Sequence, residues 1–169
     1  MKTLFFALLL VCQSAFANPT VFGITIGKTT VEQLKNQYRV SPQGINKYSE
    51  GEMYVIPQGQ IQFDGLGEVT VIFDRSDRLV AVLTEFPKNK FDYLNGMLAN
   101  KYQLISQNIP FVGNKSATYR NDDTEITLDA PHLSFELSMN YIHSDFMKAF
   151  NSQTQKEKQQ KQQQESSML

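Results

Sequence analysis

The sequence predicts an α+β domain: an antiparallel sheet with helices packed on one face, in which a helix-then-strands order occurs twice. Three observations lead to this prediction. An amphipathic helix with a capping signal lies near the start of the chain, and a second apolar stripe at helical spacing begins about 60 residues later. Short β-rich segments separated by turn residues follow each helix. Blocks of helix and strand in this order are typical of helices that cover an antiparallel sheet.

The first 17 residues have the three parts of a secretory signal peptide. Lys2 provides a cationic start, residues 4–11 are almost wholly apolar, and Ala15-Phe16-Ala17 supplies the small residues of a cleavage site. We expect cleavage between Ala17 and Asn18 and a periplasmic or secreted product. The apolar run is about half of the roughly 20 residues that cross a bilayer, so we expect no transmembrane segment.

A lipoprotein signal is the alternative, because Cys12 follows Leu9 at the spacing of a lipidation motif. Val11 occupies the position that requires a small residue, and the Ala15-Phe16-Ala17 site competes with it, so we expect no lipid anchor. Signal cleavage removes Cys12, the only cysteine, which excludes disulfides and thiolate chemistry in the product. It also removes Lys2, which takes the formal net charge from −1 to −2. With no basic stripe, nucleic acid is not an expected partner.

The product divides into one domain and a tail. Residues 18–150 have the length and apolar content of a single α+β domain. Residues 151–169 are polar and rich in Gln, and they bury too little apolar surface to offset the entropy of ordering. We expect this tail to be a frayed helix or disordered.

Two helices precede the two groups of strands. Thr29 and Glu32 form an S/T-x-x-E capping box at the start of the first helix. The second helix is expected from about Asn89 to Lys101. The apolar stripes of the two helices are Val31, Leu34 and Tyr38 in the first, and Phe91, Leu94, Leu98 and Tyr102 in the second. Ser144 and Asp145 are a candidate cap for a short final helix.

The clearest hairpin joins residues 69–73 and 79–83 through the turn 74–78. Both faces of these two strands are apolar, so we expect them in the middle of the sheet with cover on each side. Residues 133–141 alternate strictly between apolar and polar, which predicts a strand with one buried face. The other predicted strands are 53–56, 60–63, 103–106, 117–120 and 125–128.

The motifs that carry chemistry are absent or incomplete. Gly27-Lys28-Thr29 resembles the end of a phosphate-binding loop, but Gly23 is one residue too close for that motif. His132 and His143, the only histidines, flank the last predicted strand and are roughly 35 Å apart along a straight strand, so they cannot share a metal ion. We therefore predict no catalytic, cofactor-binding or metal-binding residues, and no cofactor.

Carboxylates and aromatic residues leave two alternatives open. Asp122-Asp123 and the pair Asp74 and Asp77 fit ordinary turns, although weak Ca²⁺ binding is the alternative. Four aromatic residues lie in less regular stretches, where core packing is the usual role and lining of a groove is the alternative. They are Tyr48, Tyr54, Phe111 and Tyr119.

The stretch from Phe22 to Leu34 resembles the I-x-x-G-x-T-x-x-x-V/L opening of small α/β domains of the bacterial envelope. These include the SmpA/OmlA-type outer-membrane-assembly lipoproteins and the fold of β-lactamase inhibitory protein. The hairpin around residues 74–78 is similar to theirs. The resemblance implies a non-catalytic domain that contacts other proteins, and it transfers no residue role.

We therefore expect an exported, soluble bacterial envelope protein that is not an enzyme. It is most simply a protein- or ligand-binding module, with another envelope protein as a candidate partner. The alternative is a small periplasmic hydrolase or lyase that uses carboxylate or Tyr acid–base chemistry, because such sites need no sequence motif.

Overall fold

The computed structural model describes residues 18–168, so the predicted signal peptide and Cys12 lie outside the described residues. The strands are β1 Thr20–Val21, β2 Ile24–Thr25, β3 Ser41–Ile45, β4 Glu50–Ile56, β5 Val69–Asp74, β6 Leu79–Pro87, β7 Gln103–Asn108, β8 Lys115–Asn121, β9 Thr124–Ala130 and β10 Glu136–His143. The helices are α1 Val31–Gln37, α2 Phe91–Ala99 and α3 Ser144–Ser166, and a 3₁₀ turn, Lys88–Lys90, leads into α2.

Strands β3 to β10 form one antiparallel sheet in the order β3-β4-β5-β6-β10-β9-β8-β7. The α+β class and the antiparallel sheet agree with the sequence prediction. Each half of the sheet is a meander, and the halves meet where β6 pairs with β10, from Glu136 opposite Pro87 to Ile142 opposite Ala81. The predicted hairpin is β5–β6, and both of its strands lie in the middle of the sheet.

One face of the sheet carries the main core together with α1 and α2. Leu34 of α1 and Leu94 of α2 are almost completely buried in the same apolar cluster. Alternate residues of the central strands, such as Val82 and Tyr141, point into that cluster. Burial of this continuous apolar layer is the main stabilising term, since each fully buried large side chain contributes roughly 1.5–3 kcal/mol.

The third helix corrects the prediction that helices pack on one face. Phe146 of α3 packs against a second, smaller cluster made of Ile72, Val80 and Ala81. Ile72 lies between two main-core residues of β5, and its partner Ala81 precedes Val82 of the main core, so this cluster and α3 lie on the opposite face of the sheet. The two-sided apolar pattern of β5 and β6 reflects this cover.

The capping box of α1 lies one residue later than predicted. The Thr30 hydroxyl accepts a hydrogen bond from the Gln33 amide at 3.3 Å, and the Gln33 side chain accepts from the Thr30 amide at 3.0 Å. The Thr29 hydroxyl instead accepts from the Thr25 amide at 2.8 Å. The Thr29 carbonyl also accepts a hydrogen bond from the amide of Leu79, which joins the start of α1 to β6. These two bonds hold Thr29 in the connection before the helix, so Thr30 is the capping residue.

Two predicted strands have different limits in the structure. The predicted strand at residues 60–63 is wrong, because these residues are irregular. A strand that was not predicted, β3, precedes β4. The last strand begins at Glu136, so Leu133 and Phe135 lie outside it. Pro131 explains the shift: the amide of Ser134 donates to the Pro131 carbonyl at 3.2 Å, which closes a turn directly after β9.

Helix α3 starts at the sheet and runs through Ser166. Near its beginning, Phe150 packs edge-on against Tyr48 with ring centroids 4.7 Å apart, and Glu157 pairs with Lys47 at 3.2 Å. All side chains from residue 154 to residue 166 are exposed. No helix within residues 18–168 is both long enough and apolar enough to cross a bilayer.

Candidate functional site

The two histidines lie at opposite ends of β10. His132 is in the loop before the strand, and His143 is its last residue. The His143 Nδ1 atom accepts a hydrogen bond from the Asp145 amide at 3.2 Å, so this imidazole caps α3. In the part of the chain that the structure describes, no group of three His, Cys, Asp or Glu residues has metal-site geometry.

The carboxylates singled out in the sequence lie in turns. The Asp74 side chain accepts hydrogen bonds from the amides of Ser76 at 2.8 Å and Arg78 at 3.0 Å, which closes the β5–β6 turn. Asp122 adopts a positive φ of 51° in the turn between β8 and β9. Both arrangements are turn chemistry of the kind that Asp side chains favour.

The four irregularly placed aromatic residues do not share a groove. Tyr119 is buried in the core, where its hydroxyl donates to the Asn95 side chain at 2.6 Å. Tyr48 packs against α3, and Tyr54 is buried below Lys35, whose ammonium is 4.7 Å from the centre of its ring. Phe111 alone is fully exposed.

Phe111 belongs to a pair of loops at one end of the sheet. Residues 109–114 join β7 to β8, and residues 131–135 join β9 to β10. Because these strands alternate in direction, both connections emerge at the same end. We call residues 109–114 and 131–135 together the tip loops. The α3 helix begins at the other end of β10.

The tip loops present large apolar side chains to solvent. Phe111 is 104% exposed, Phe135 94%, Leu133 91% and Val112 66%. Single exposed apolar residues are ordinary, whereas contiguous apolar patches on a folded domain mark sites of interaction. These exposures place the four side chains outside the packing of the domain, on two loops at the same end of the sheet.

Hydrogen bonds hold the tip loops in a defined position. The Asn114 side chain accepts from the His132 amide at 2.7 Å, and this bond joins one loop to the other. The ammonium of Lys88 donates to the carbonyls of Pro131 and His132, the second at 2.7 Å. The Lys88 amide also donates to the Phe135 carbonyl at 2.8 Å. The apolar side chains therefore stand on a braced backbone.

Charge is absent from the tip loops and begins just below them. No Asp, Glu, Lys or Arg occurs from residue 103 to 114 or from residue 130 to 135. Asp129 directly precedes the second of these stretches. Lys115 follows the first loop and pairs with Asp92 of α2 at 3.4 Å. Glu136 follows the second loop. The tip loops are thus uncharged with charged residues beside them, and the β4–β5 connection, which emerges at the same end of the sheet, carries the exposed Asp64.

A separate cavity of about 240 Å³ lies between the β1–β2 hairpin, α2 and β10. Tyr102 and Tyr141 form part of its wall, and their rings pack edge-on with centroids 6.1 Å apart. The Tyr102 hydroxyl is sealed from solvent and has no hydrogen-bond partner among residues 18–168. Burial, with the neighbouring phenol of Tyr102 as a smaller cause, raises the pKa of Tyr141 well above its ordinary value. The cavity is smaller than a typical ligand site.

The sequence pattern does not reveal the tip loops, because its period of two predicts Leu133 and Phe135 on the buried face of a strand. Phe111 alone was considered, as a groove residue. The usable signal was the pair of prolines, Pro110 and Pro131, each next to a short uncharged apolar run in a hairpin connection.

Comparisons with known proteins leave the family open. A scan against protein-family models finds no match, and searches of curated proteins and of solved structures also find none. The resemblance to small envelope domains, carried by residues 22–34, therefore stays a prediction.

The Asn114→Ala variant tests the brace between the tip loops. It removes the acceptor of the His132 amide, so we expect the free energy of unfolding to fall by about 1 kcal/mol. Amide hydrogen exchange at His132 should accelerate by more than the loss of global stability explains. Exchange of the β5 amides should accelerate only by the amount that the loss of global stability explains. Asn151→Ala, on the exposed side of α3, is the matched control. Unchanged exchange at His132 would contradict the brace.

The Tyr141→Phe variant tests the buried phenol. Because the pKa of Tyr141 is raised in the folded state, the unfolded chain loses this proton first as the pH passes about 10. The stability contributed by the neutral phenol is thus complete below that pH and declines above it. We expect the wild type to lose more stability than Tyr141→Phe between about pH 8 and pH 11 in urea unfolding. Tyr93→Phe, at an exposed position, should behave as the wild type does. Equal losses in all three proteins would contradict the assignment.

Proposed function

We propose that this chain is an exported, non-catalytic binding module of the bacterial envelope and that the tip loops are its docking surface. Export follows from the signal pattern of residues 1–17, with cleavage between Ala17 and Asn18 and a periplasmic or secreted product. The observation that carries the proposal is the exposure of Phe111, Leu133 and Phe135, each of which is more than nine-tenths exposed as a residue.

Removal of these apolar side chains from water by a partner would lower the free energy of the domain. Complete burial of a Leu or Phe side chain contributes roughly 1.5–3 kcal/mol. Three such side chains on two adjacent loops therefore provide a substantial driving force for association. In the free domain the same residues contribute nothing to packing, so folding alone does not account for them.

The bracing of the loops supports docking as well. Asn114 and Lys88 hold the backbone of both loops through the hydrogen bonds described above. A surface that is already ordered loses less conformational entropy on binding than a flexible one does. The tip loops thus combine an apolar surface with a fixed geometry, which is the combination that a binding module requires.

A photo-crosslinking experiment tests the proposal in living cells. The full chain is produced in a Gram-negative bacterium with p-benzoylphenylalanine at position 111 or 135, and with the same residue at position 45 as the control. Ile45 is 63% exposed but lies in β3, at the edge of the sheet opposite β7. We expect specific adducts, to protein or to lipid, from positions 111 and 135 and none from position 45.

The outcome that contradicts the proposal is equally definite. If positions 111 and 135 give no adducts, or only those that position 45 also gives, then the tip loops do not dock in the cell.

A further inference from the structure

We infer that the surface on which the tip loops dock is the interface of a phospholipid bilayer. This inference rests on the proposed function and names the chemistry of its partner. Three features of the described residues favour a bilayer over a folded protein: the degree of exposure of the apolar side chains, the order of apolar and charged groups along the loops, and the position of the loops at one end of the domain.

The first feature is the exposure of individual side chains. Phe111 and Phe135 are 104% and 94% exposed, so each ring stands clear of its neighbours. Hot spots between proteins are closely packed, and a folded partner would need a separate matching pocket for each projecting side chain. A bilayer needs no such match, because lipid chains rearrange around whatever is inserted.

The second feature is the order of groups along the axis of the strands. The loops themselves are uncharged, and Phe111, Val112, Leu133 and Phe135 are their most exposed large apolar residues. Lys115 and Glu136 come directly after them, at the first residues of β8 and β10. This apolar-then-charged sequence matches the layers of a bilayer, in which acyl chains lie beneath charged headgroups. Lys115, whose long side chain is partly exposed, is suited to reach a lipid phosphate.

The third feature is that the tip loops and α3 lie at opposite ends of β10. The tip loops lie at one end of the β7–β10 half, the β4–β5 connection lies at the same end of the other half, and α3 leaves the sheet at the opposite end of β10. The loop backbone keeps its hydrogen bonds to Asn114 and Lys88, so shallow entry exposes few unpaired polar groups to lipid. The domain would therefore stand on the bilayer with α3 directed away from it.

Vesicle flotation tests the inference. Full-length mature chain, residues 18–169, is mixed with vesicles of phosphatidylethanolamine and phosphatidylglycerol in equal parts, and separately with phosphatidylcholine vesicles. We expect wild type to float with the first composition. The double variant Phe111→Ser, Phe135→Ser should bind at least about tenfold more weakly, because both insertable rings are lost. Ile45→Ser, the matched control, should bind as wild type does. Both changed phenylalanines are exposed, so the fold should be unaffected, which circular dichroism checks.

A fluorescence measurement adds the depth of the loops. The mature chain has no cysteine, so Phe135→Cys supplies a unique site for an environment-sensitive dye, and Ile45→Cys supplies the control. We expect a blue shift on the vesicles, and quenching by lipids spin-labelled on the acyl chain, only for the dye at position 135.

The results separate the two proposals. The bilayer inference is overturned if the wild type binds neither vesicle composition, or if the double variant binds as strongly as the wild type does. If crosslinking from positions 111 and 135 then yields specific protein adducts, the proposed docking role of the tip loops stands while the bilayer inference fails. If crosslinking yields no specific adducts, the docking role fails as well.

Discussion

The pairing of β6 with β10 is the interaction on which the rest of the structure depends. Every other strand pair in the large sheet joins neighbours in the chain, whereas this pair joins the two four-stranded halves. Seven residue pairs form the ladder, and the buried Thr84 hydroxyl donates to the Met139 carbonyl across it at 2.6 Å. This pairing closes a long segment of chain between β6 and β10, and the closure costs conformational entropy. Burial of the apolar residues that the pairing brings together must offset that cost.

The register of this central pair also determines what each end of the domain presents. With Leu137 opposite Phe86, both side chains enter the core beneath α1 and α2. The ladder begins directly after Phe135, and the hydrogen bond from the Lys88 amide to the Phe135 carbonyl fixes the end of the second tip loop. A slip of one residue would turn Phe135 toward the opposite face. The exposed apolar loops are thus a consequence of the same pairing that builds the core.

The sequence was informative where periodicity reports burial. Alternation and β-branched composition predicted the β5–β6 hairpin in mid-sheet, and the helical stripe of Phe91, Leu94 and Leu98 predicted α2. The exact cap of α1 was off by one, because Thr29 and Thr30 both have capping partners in sequence and only the contact of Thr29 with Leu79 decides between them.

The tip loops and the position of α3 could not be predicted in the same way. The run from Leu133 to Tyr141 has an unbroken period of two, so nothing in the pattern separates its exposed apolar residues from its buried ones. What separates them is the turn that Pro131 closes, which depends on where β9 ends. The face that α3 covers likewise depends on the tertiary fit of one side chain, Phe146, against the small cluster on β5 and β6.

Native-state hydrogen exchange of residues 18–169 tests the central pairing most directly. If β6 and β10 bind the halves into one unit, their slowest amides should exchange only through global unfolding. The slowest amides of β5 and β9, one in each half, should then have the same free energy of opening as β6 and β10. A distinctly lower free energy for the β7–β10 half than for the β3–β6 half would contradict the account, because it would mean that one half opens while the other stays folded.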